Sequence, residues 1–236
     1  MPRVDWPRGA WSGAATRWAI LGRHVSRPSI SEPQAAEQDA GSLVRLGGWL
    51  FRKRTALPVP IALALLIIPP RESDAATAWL SVAGLPIVML GELIRLWGVH
   101  HIGAVSRTRS ERLGPLIDGG PFGHVRNPLY IGNILLWLGF AVSARLPWLV
   151  PVVFALLAIE YHAIVRWEER LLETRIGASY KDYMRRVPRW IPRATGGSSS
   201  GGQAAFSWTQ TLFSERGTLI AIGIGYVLLA LKAQFS

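Results

Sequence analysis

Five apolar stretches, separated by segments that alternate between basic and almost uncharged, constrain this chain more than any other feature. They run over residues 56–70, 76–99, 128–144, 147–165 and 218–235. A hydrocarbon core of about 30 Å takes about 20 helical residues to cross, so most of these stretches read as membrane spans rather than as core helices of a water-soluble domain. The first is short and interrupted by prolines, and reads as a short or tilted span. The loops fix an orientation. Residues 1–55 hold nine Lys and Arg, the connection after the first stretch only Arg71, residues 100–127 four, the next turn only Arg145, and residues 166–193 eight. Because cytoplasmic loops retain positive charge, this places the N-terminus and both long connections in the cytosol.

The formal excess of +11 is therefore mostly topological. Basic residues spread over alternate loops do not form the single patch that nucleic acid requires, so a nucleic-acid partner is not expected. With no cysteine, thiolate ligands, disulfides and a cysteine nucleophile are excluded, and no Cys/His metal spacing is present. Neither a dinucleotide or triphosphate glycine loop nor a G-x-S-x-G or H-E-x-x-H motif occurs. The fold class expected is all-α: a polytopic membrane helix bundle of about five spans with its functional residues in a helical cytosolic region and no Rossmann domain.

The chain divides into four parts. Residues 1–42 mix Pro, Ser, Ala, Gln and scattered charge and read as a mostly disordered basic segment, with one candidate interfacial helix over Trp11 to Leu21. From Leu43 the text LVRLGGWLFRKR suits a short helix lying on a membrane surface. Residues 43–192 form the core, 193–205 a Gly/Ser-rich linker, and 206–236 an interfacial stretch followed by the last span.

Candidate chemistry lies on the cytosolic side in two places. The stretch GPFGHVRNPLYIGN, Gly120 to Asn133, combines helix-breaking residues with polar ones. It is either a turn that caps a helix starting at Pro128 or irregular backbone facing a cavity. The fourth span continues into Tyr161–Pro192, where Arg166 and Glu169 can pair three residues apart and where adjacent Glu168 and Glu169 form either a solvated face or an ammonium-binding site. Glu92 and Arg95, also three apart, end the second span. His100, His101, His124 and His162 are weak candidates for a base.

In order along the chain, these segments resemble the membrane-embedded isoprenylcysteine carboxyl methyltransferases and phospholipid methyltransferases. GPFGHVRNPLYIGN is similar to the pattern G-P-Y-x-x-V-R-H-P-x-Y-x-G, and GASYKDYMRRVPRWIP to the later Y-x-x-Y and V-P-x-x-x-P, with a Glu pair between them. Upstream, GELIRLWGVHHIGAVS is similar to the L-R-x-W helix and its G-x-x-x-S extension, so that the resemblance covers residues 84–192. It implies S-adenosylmethionine as cofactor, bound at the cytosolic membrane boundary. Phe122, Asn127, Pro128, Leu129 and Tyr130 would then line the adenosine pocket, with Arg126 in the motif's arginine position. Gly114, Pro115, Leu116 and Ile117 would supply backbone and apolar contacts. Glu168 with Glu169 would hold the methionine ammonium, and Arg166 would orient the methyl acceptor. Asn127 stands where many relatives have histidine and cannot take a proton at neutral pH. Phe122 replaces a tyrosine and keeps only the ring. The partner implied is a lipophilic or amphiphilic acceptor from the membrane lipid phase: an isoprenylcysteine-type carboxylate, a phospholipid amine or a small thiol. The class rival is a non-catalytic scaffold or transporter component with the same helices.

Overall fold

The computed structural model describes residues 32–70, 75–103, 116–194 and 206–235. The Trp11–Leu21 segment and candidate residues Gly114 and Pro115 lie outside them. Among the described residues all regular structure is helical. The chain runs through α1 (Glu32–Lys53), α2 (Pro58–Ile67), α3 (Ala75–Ala78), α4 (Leu80–Ile102), α5 (Pro121–His124), α6 (Pro128–Ser143), α7 (Val150–Ile176), α8 (Ala178–Arg186) and α9 (Trp208–Phe235). Pro58 and Pro128 open α2 and α6, where a missing N–H costs nothing because no intrahelical acceptor precedes it.

Of the apolar stretches, three become helices long and apolar enough to cross a membrane: α4, α7 with the single 3-10 turn before it, and α9. The other two, α2 with 10 residues and α6 with 16, are shorter. At 1.5 Å per residue they reach about 15 and 24 Å, below a hydrocarbon core of about 30 Å. Bulky apolar side chains point outward along the bundle, among them Ile159, Ile220 and Val227, each more than half exposed. Such a surface suits hydrocarbon and not water. The protein is an integral membrane helix bundle.

Antiparallel α4 and α6 form its centre. Gly84, Gly91 and Gly98 on α4 recur every seven residues and face Gly139, Gly132 and Leu129 on α6. A Cβ at Gly91 would lie 2.7 Å from the Gly132 carbonyl oxygen, and one at Gly139 would lie 2.8 Å from that of Gly84. The two backbones therefore touch, which is how helices gain dispersion energy in a bilayer that gives no hydrophobic drive for association. On the other side of α6, Leu146, Val153, Leu157, Tyr161 and Ile164 pack with Ile61 and Leu65 of α2 into one apolar core.

The first helix differs from its sequence reading. It begins at Glu32, eleven residues before Leu43, so residues 32–42 are helical rather than part of an unstructured head. It is also more than a surface helix: Gly47 and Gly48 are buried against Ala163 and Trp167 of α7, while Arg45, Leu46, Trp49, Arg52 and Lys53 face outward. The last helix lies along α4. Arg95 donates to Asn133 of α6 and to Glu215 of α9, with its Nε 3.4 Å from Glu92, so the pair at i, i+3 is present but belongs to a three-helix cluster. At the far end Tyr226 and Ser143 share a 3.1 Å hydrogen bond, and Lys232 Nζ donates to the Leu65 carbonyl at 2.7 Å.

Replacing Gly91 by Val inserts three carbons where only backbone fits. It should cost about 1–3 kcal/mol, the range for overpacking. The control is Gly41, where a Cβ meets nothing within 4 Å, so that Gly41→Ala should not lower the heat-inactivation midpoint. The check is the fraction of monodisperse protein in detergent after stepwise heating.

Candidate functional site

Two chain segments meet at the end of the bundle where α6 begins and α7 leaves it. The first runs from Leu116 through α5 to Pro128, the second from Glu168 through α8 to Arg193. The turn between α7 and α8 is made by Gly177, whose φ of 71° would strain any residue carrying a Cβ. It folds α8 back so that the tail after it runs beside residues 124–127. Arg126 N–H donates to the Pro188 carbonyl at 2.9 Å, and Arg193 N–H to that of His124 at 3.1 Å. The Asn127 side chain, which precedes α6, does not cap that helix; its Nδ2 donates to the Arg189 carbonyl at 3.1 Å. The polar stretch before Pro128 thus binds a second segment of chain rather than only closing its own helix.

Phe122 is buried, and its carbonyl accepts a 2.8 Å hydrogen bond from Tyr183 of α8. Burial pushes the Tyr183 phenol above its ordinary range, so it stays a donor at neutral pH. Leu116 packs on the cluster of Tyr180, Tyr183 and Val187, and Ile117 beside it is half-buried. Pro128 is fully buried, while Leu129 and Tyr130 are half-buried.

The adjacent carboxylates have different surroundings. Glu169 is buried and receives both arms of Arg189, Nε at 3.0 Å and a terminal nitrogen at 2.6 Å, plus Arg126 at 2.6 Å. Two guanidiniums saturate it. Among the described residues Glu168 accepts one hydrogen bond, from the Tyr130 hydroxyl at 2.9 Å to Oε1, and its other oxygen accepts none. Tyr130 is braced in turn by stacking on Tyr161, ring centroids 4.8 Å apart. Arg166 does not pair with Glu169, because Glu169 is turned toward Arg126 and Arg189. Arg166 is half-buried and makes no ion pair or hydrogen bond to the described residues.

Of the residues singled out in the sequence, Leu116, Phe122, Arg126, Asn127, Pro128, Tyr130, Glu168 and Glu169 converge at this end, Leu129 and Ile117 border it, and Arg166 lies on α7 beside Glu168. Sequence reasoning missed Arg189, Tyr180 and Tyr183. Arg189 lies within VPRWIP and the tyrosines within YKDY, so their positions were visible, but which carboxylate and which carbonyl they serve depends on how α8 folds back. The histidines are mostly committed elsewhere: His100 stacks on Trp208 at 4.1 Å, and His124 Nδ1 lies 2.8 Å from the Arg193 carbonyl.

Removing one guanidinium from Glu169 leaves a buried carboxylate half compensated. Arg189→Leu should therefore destabilise the fold by about 3 kcal/mol, the lower end of the range for a broken buried pair. Arg185→Leu removes only an exposed partner of Asp182 and should stay within about 1 kcal/mol. Thermal inactivation of the two variants side by side checks the difference.

The family model described as phospholipid methyltransferase matches residues 79–179. A nickel-cobalt-cadmium resistance protein of Alcaligenes xylosoxydans xylosoxydans is 28% identical over 71% of this chain and 73% of its own length. A cobalt-zinc-cadmium resistance protein of Cupriavidus metallidurans is 29% identical over 65% of this chain and 70% of its own. The protein-S-isoprenylcysteine O-methyltransferase B of Arabidopsis thaliana is 28% identical over 48% of this chain and 60% of its own. No solved structure matches the chain. Through the region that spans α4 to the start of α8, the chain is similar to the isoprenylcysteine carboxyl methyltransferases and phospholipid methyltransferases of membranes.

Proposed function

We propose that this membrane methyltransferase takes its methyl group from S-adenosylmethionine and gives it to a lipophilic or amphiphilic acceptor that enters from the bilayer. The observation that carries the reading is Glu168: a carboxylate next to a saturated twin, fixed by Tyr130 through one oxygen and holding the other unused. That donor set fits a cofactor with a cationic amine. A second sign of fit is the buried Arg126 Nε, which has no hydrogen-bond partner among the described residues. Phe122, Asn127, Pro128, Leu129 and Tyr130 would border the adenosine, with Leu116 and Ile117 alongside.

The bound cofactor supplies a methyl on a sulfonium, already activated for in-line displacement. The chain then has to align, exclude water and place charge, and needs no nucleophile of its own. Glu168 offers its free oxygen to an ammonium, held in direction by Tyr130. Arg126 and Arg189 hold Glu169 in place, and so pin the tail against residues 124–127. Arg166, half-buried and without an anion among the described residues, would take the carboxylate of an acceptor bidentately, which favours an isoprenylcysteine-type carboxylate or a similar amphiphile. Such an acceptor also needs no base, in keeping with Asn127 at the position where relatives carry histidine.

Purified protein in lipid nanodiscs should bind S-adenosylmethionine saturably in calorimetry. Glu168→Gln and Tyr130→Phe should each weaken binding, the former by about tenfold or more, the equivalent of about 1.4 kcal/mol. Arg166→Met should keep binding and lose methyl transfer to membrane lipids or lipidated acceptors, read by mass spectrometry. Absence of saturable binding by the unaltered protein would sink the reading.

We further propose that the N-terminus, both long connections and the site face the cytosol of a prokaryotic cell. Because the chain lacks cysteine, single replacements report topology directly. In intact cells a membrane-impermeant maleimide should label Ala78→Cys and spare Lys53→Cys, which should react only after permeabilisation.

A further inference from the structure

Arg54 lies in the short connection between α1 and α2, outside the residues 79–179 that match the family model. Its guanidinium sits over the Phe51 ring, 4.1 Å from the centroid. Phe51 packs in turn on Trp167, ring centroids 4.8 Å apart, and Trp167 directly precedes Glu168. This reach depends on Gly47 and Gly48, which let α1 settle against Ala163 and Trp167. The first helix therefore carries a cation to the part of α7 where Tyr130 and Glu168 meet.

Apart from the Phe51 ring, that cation has no partner among the described residues. Arg54 is half-buried and makes no ion pair or hydrogen bond to the described residues, although a guanidinium has five N–H donors and does not lose its proton. It lies close enough to act electrostatically on Glu168, Tyr130 and Tyr161, yet no ion pair closes between Arg54 and Glu168. Among the other cations nearby, Arg166 is the one the functional reading gives to the acceptor, and three are engaged. Arg126 and Arg189 are held by Glu169, and Arg95 by Glu215 and Asn133.

A carboxylate and a guanidinium close enough to interact, with no ion pair between them, form a receptor for a group carrying both charges. An α-amino acid is such a group, since its ammonium and carboxylate are bonded to one carbon. Either charge alone would leave one side of the pair unanswered. We propose that Arg54 holds the α-carboxylate of the methionine moiety whose ammonium Glu168 holds. The proposal rests on the functional reading above and adds to it a binding residue from the connection that follows α1.

The test compares S-adenosylmethionine with its decarboxylated analogue, which keeps the sulfonium, the adenosine and the amine and lacks only the carboxylate. Both are titrated calorimetrically into the full chain in nanodiscs. The unaltered protein should bind the carboxylated form about tenfold or more tightly, as loss of one charge-assisted bidentate pair would produce. In Arg54→Met that preference should fall to near one, chiefly by weakening S-adenosylmethionine, while affinity for the analogue stays put. Arg54→Lys should restore part of it, and carries the same test if the methionine variant does not fold.

The outcomes separate two failures. If the unaltered protein binds neither compound, the functional reading fails. If it binds S-adenosylmethionine but shows no preference over the analogue, or if Arg54→Met keeps the preference, Arg54 is overturned and the reading stands. Loss of affinity for phosphatidylglycerol vesicles in Arg54→Met, with the preference intact, would make Arg54 a lipid-phosphate contact and also overturn the proposal.

Discussion

Close approach of α4 and α6 is the constraint on which the rest depends. Where Gly91 meets Gly132 and Gly84 meets Gly139, nothing larger than hydrogen fits between the backbones. That contact sets the position of Pro128, and with it the Asn127 and Arg126 that reach back to the tail. It also sets the depth of Tyr130 and Asn133, one turn apart on α6, which then meet Glu168 of α7 and Arg95 of α4. A helix pair held by dispersion between small residues tolerates little sliding, because each backbone is in the other's groove. The precision needed to oppose a hydroxyl to a carboxylate thus begins in residues that carry no functional group.

The site shows how two identical neighbours on one helix become different. Successive residues on α7 point about 100° apart, so Glu169 turns toward the tail and Glu168 toward α6. Glu169 meets two arginines and becomes a fixed anion tying three segments together. Glu168 meets one phenol and keeps an oxygen for something else. Charge saturation, rather than sequence position, distinguishes the structural carboxylate from the one that can serve a ligand.

Much of this was legible beforehand. The apolar runs and the proline at the start of α6 announce themselves locally, and the ordered motifs from GELIRLW to VPRWIP carry the resemblance to the family. Gly84, Gly91 and Gly98 are also visible as a seven-residue rhythm, but it acquires meaning only against the matching spacing of Gly132 and Gly139. What stayed hidden is pairing over distance. The expected bond from Arg166 to Glu169 is local and plausible, yet it loses to Arg189, twenty residues on and delivered by a fold-back no spacing rule predicts. The helix starting at Glu32 was obscured for the opposite reason: its first turns are polar and show no apolar face.

The cluster around Arg95 has a consequence for the order of synthesis. Arg95 and Glu92 are made first, Asn133 follows 38 residues after Arg95, and Glu215 only 120 residues after it. At translation rates of about 5–20 residues per second, α4 waits on the order of ten seconds for its last charge partner. During that interval a guanidinium and a carboxylate destined for the bundle interior must be sheltered by each other or by the insertion machinery. The final helix, slight in its packing, is thus what completes the electrostatics of a helix made long before it.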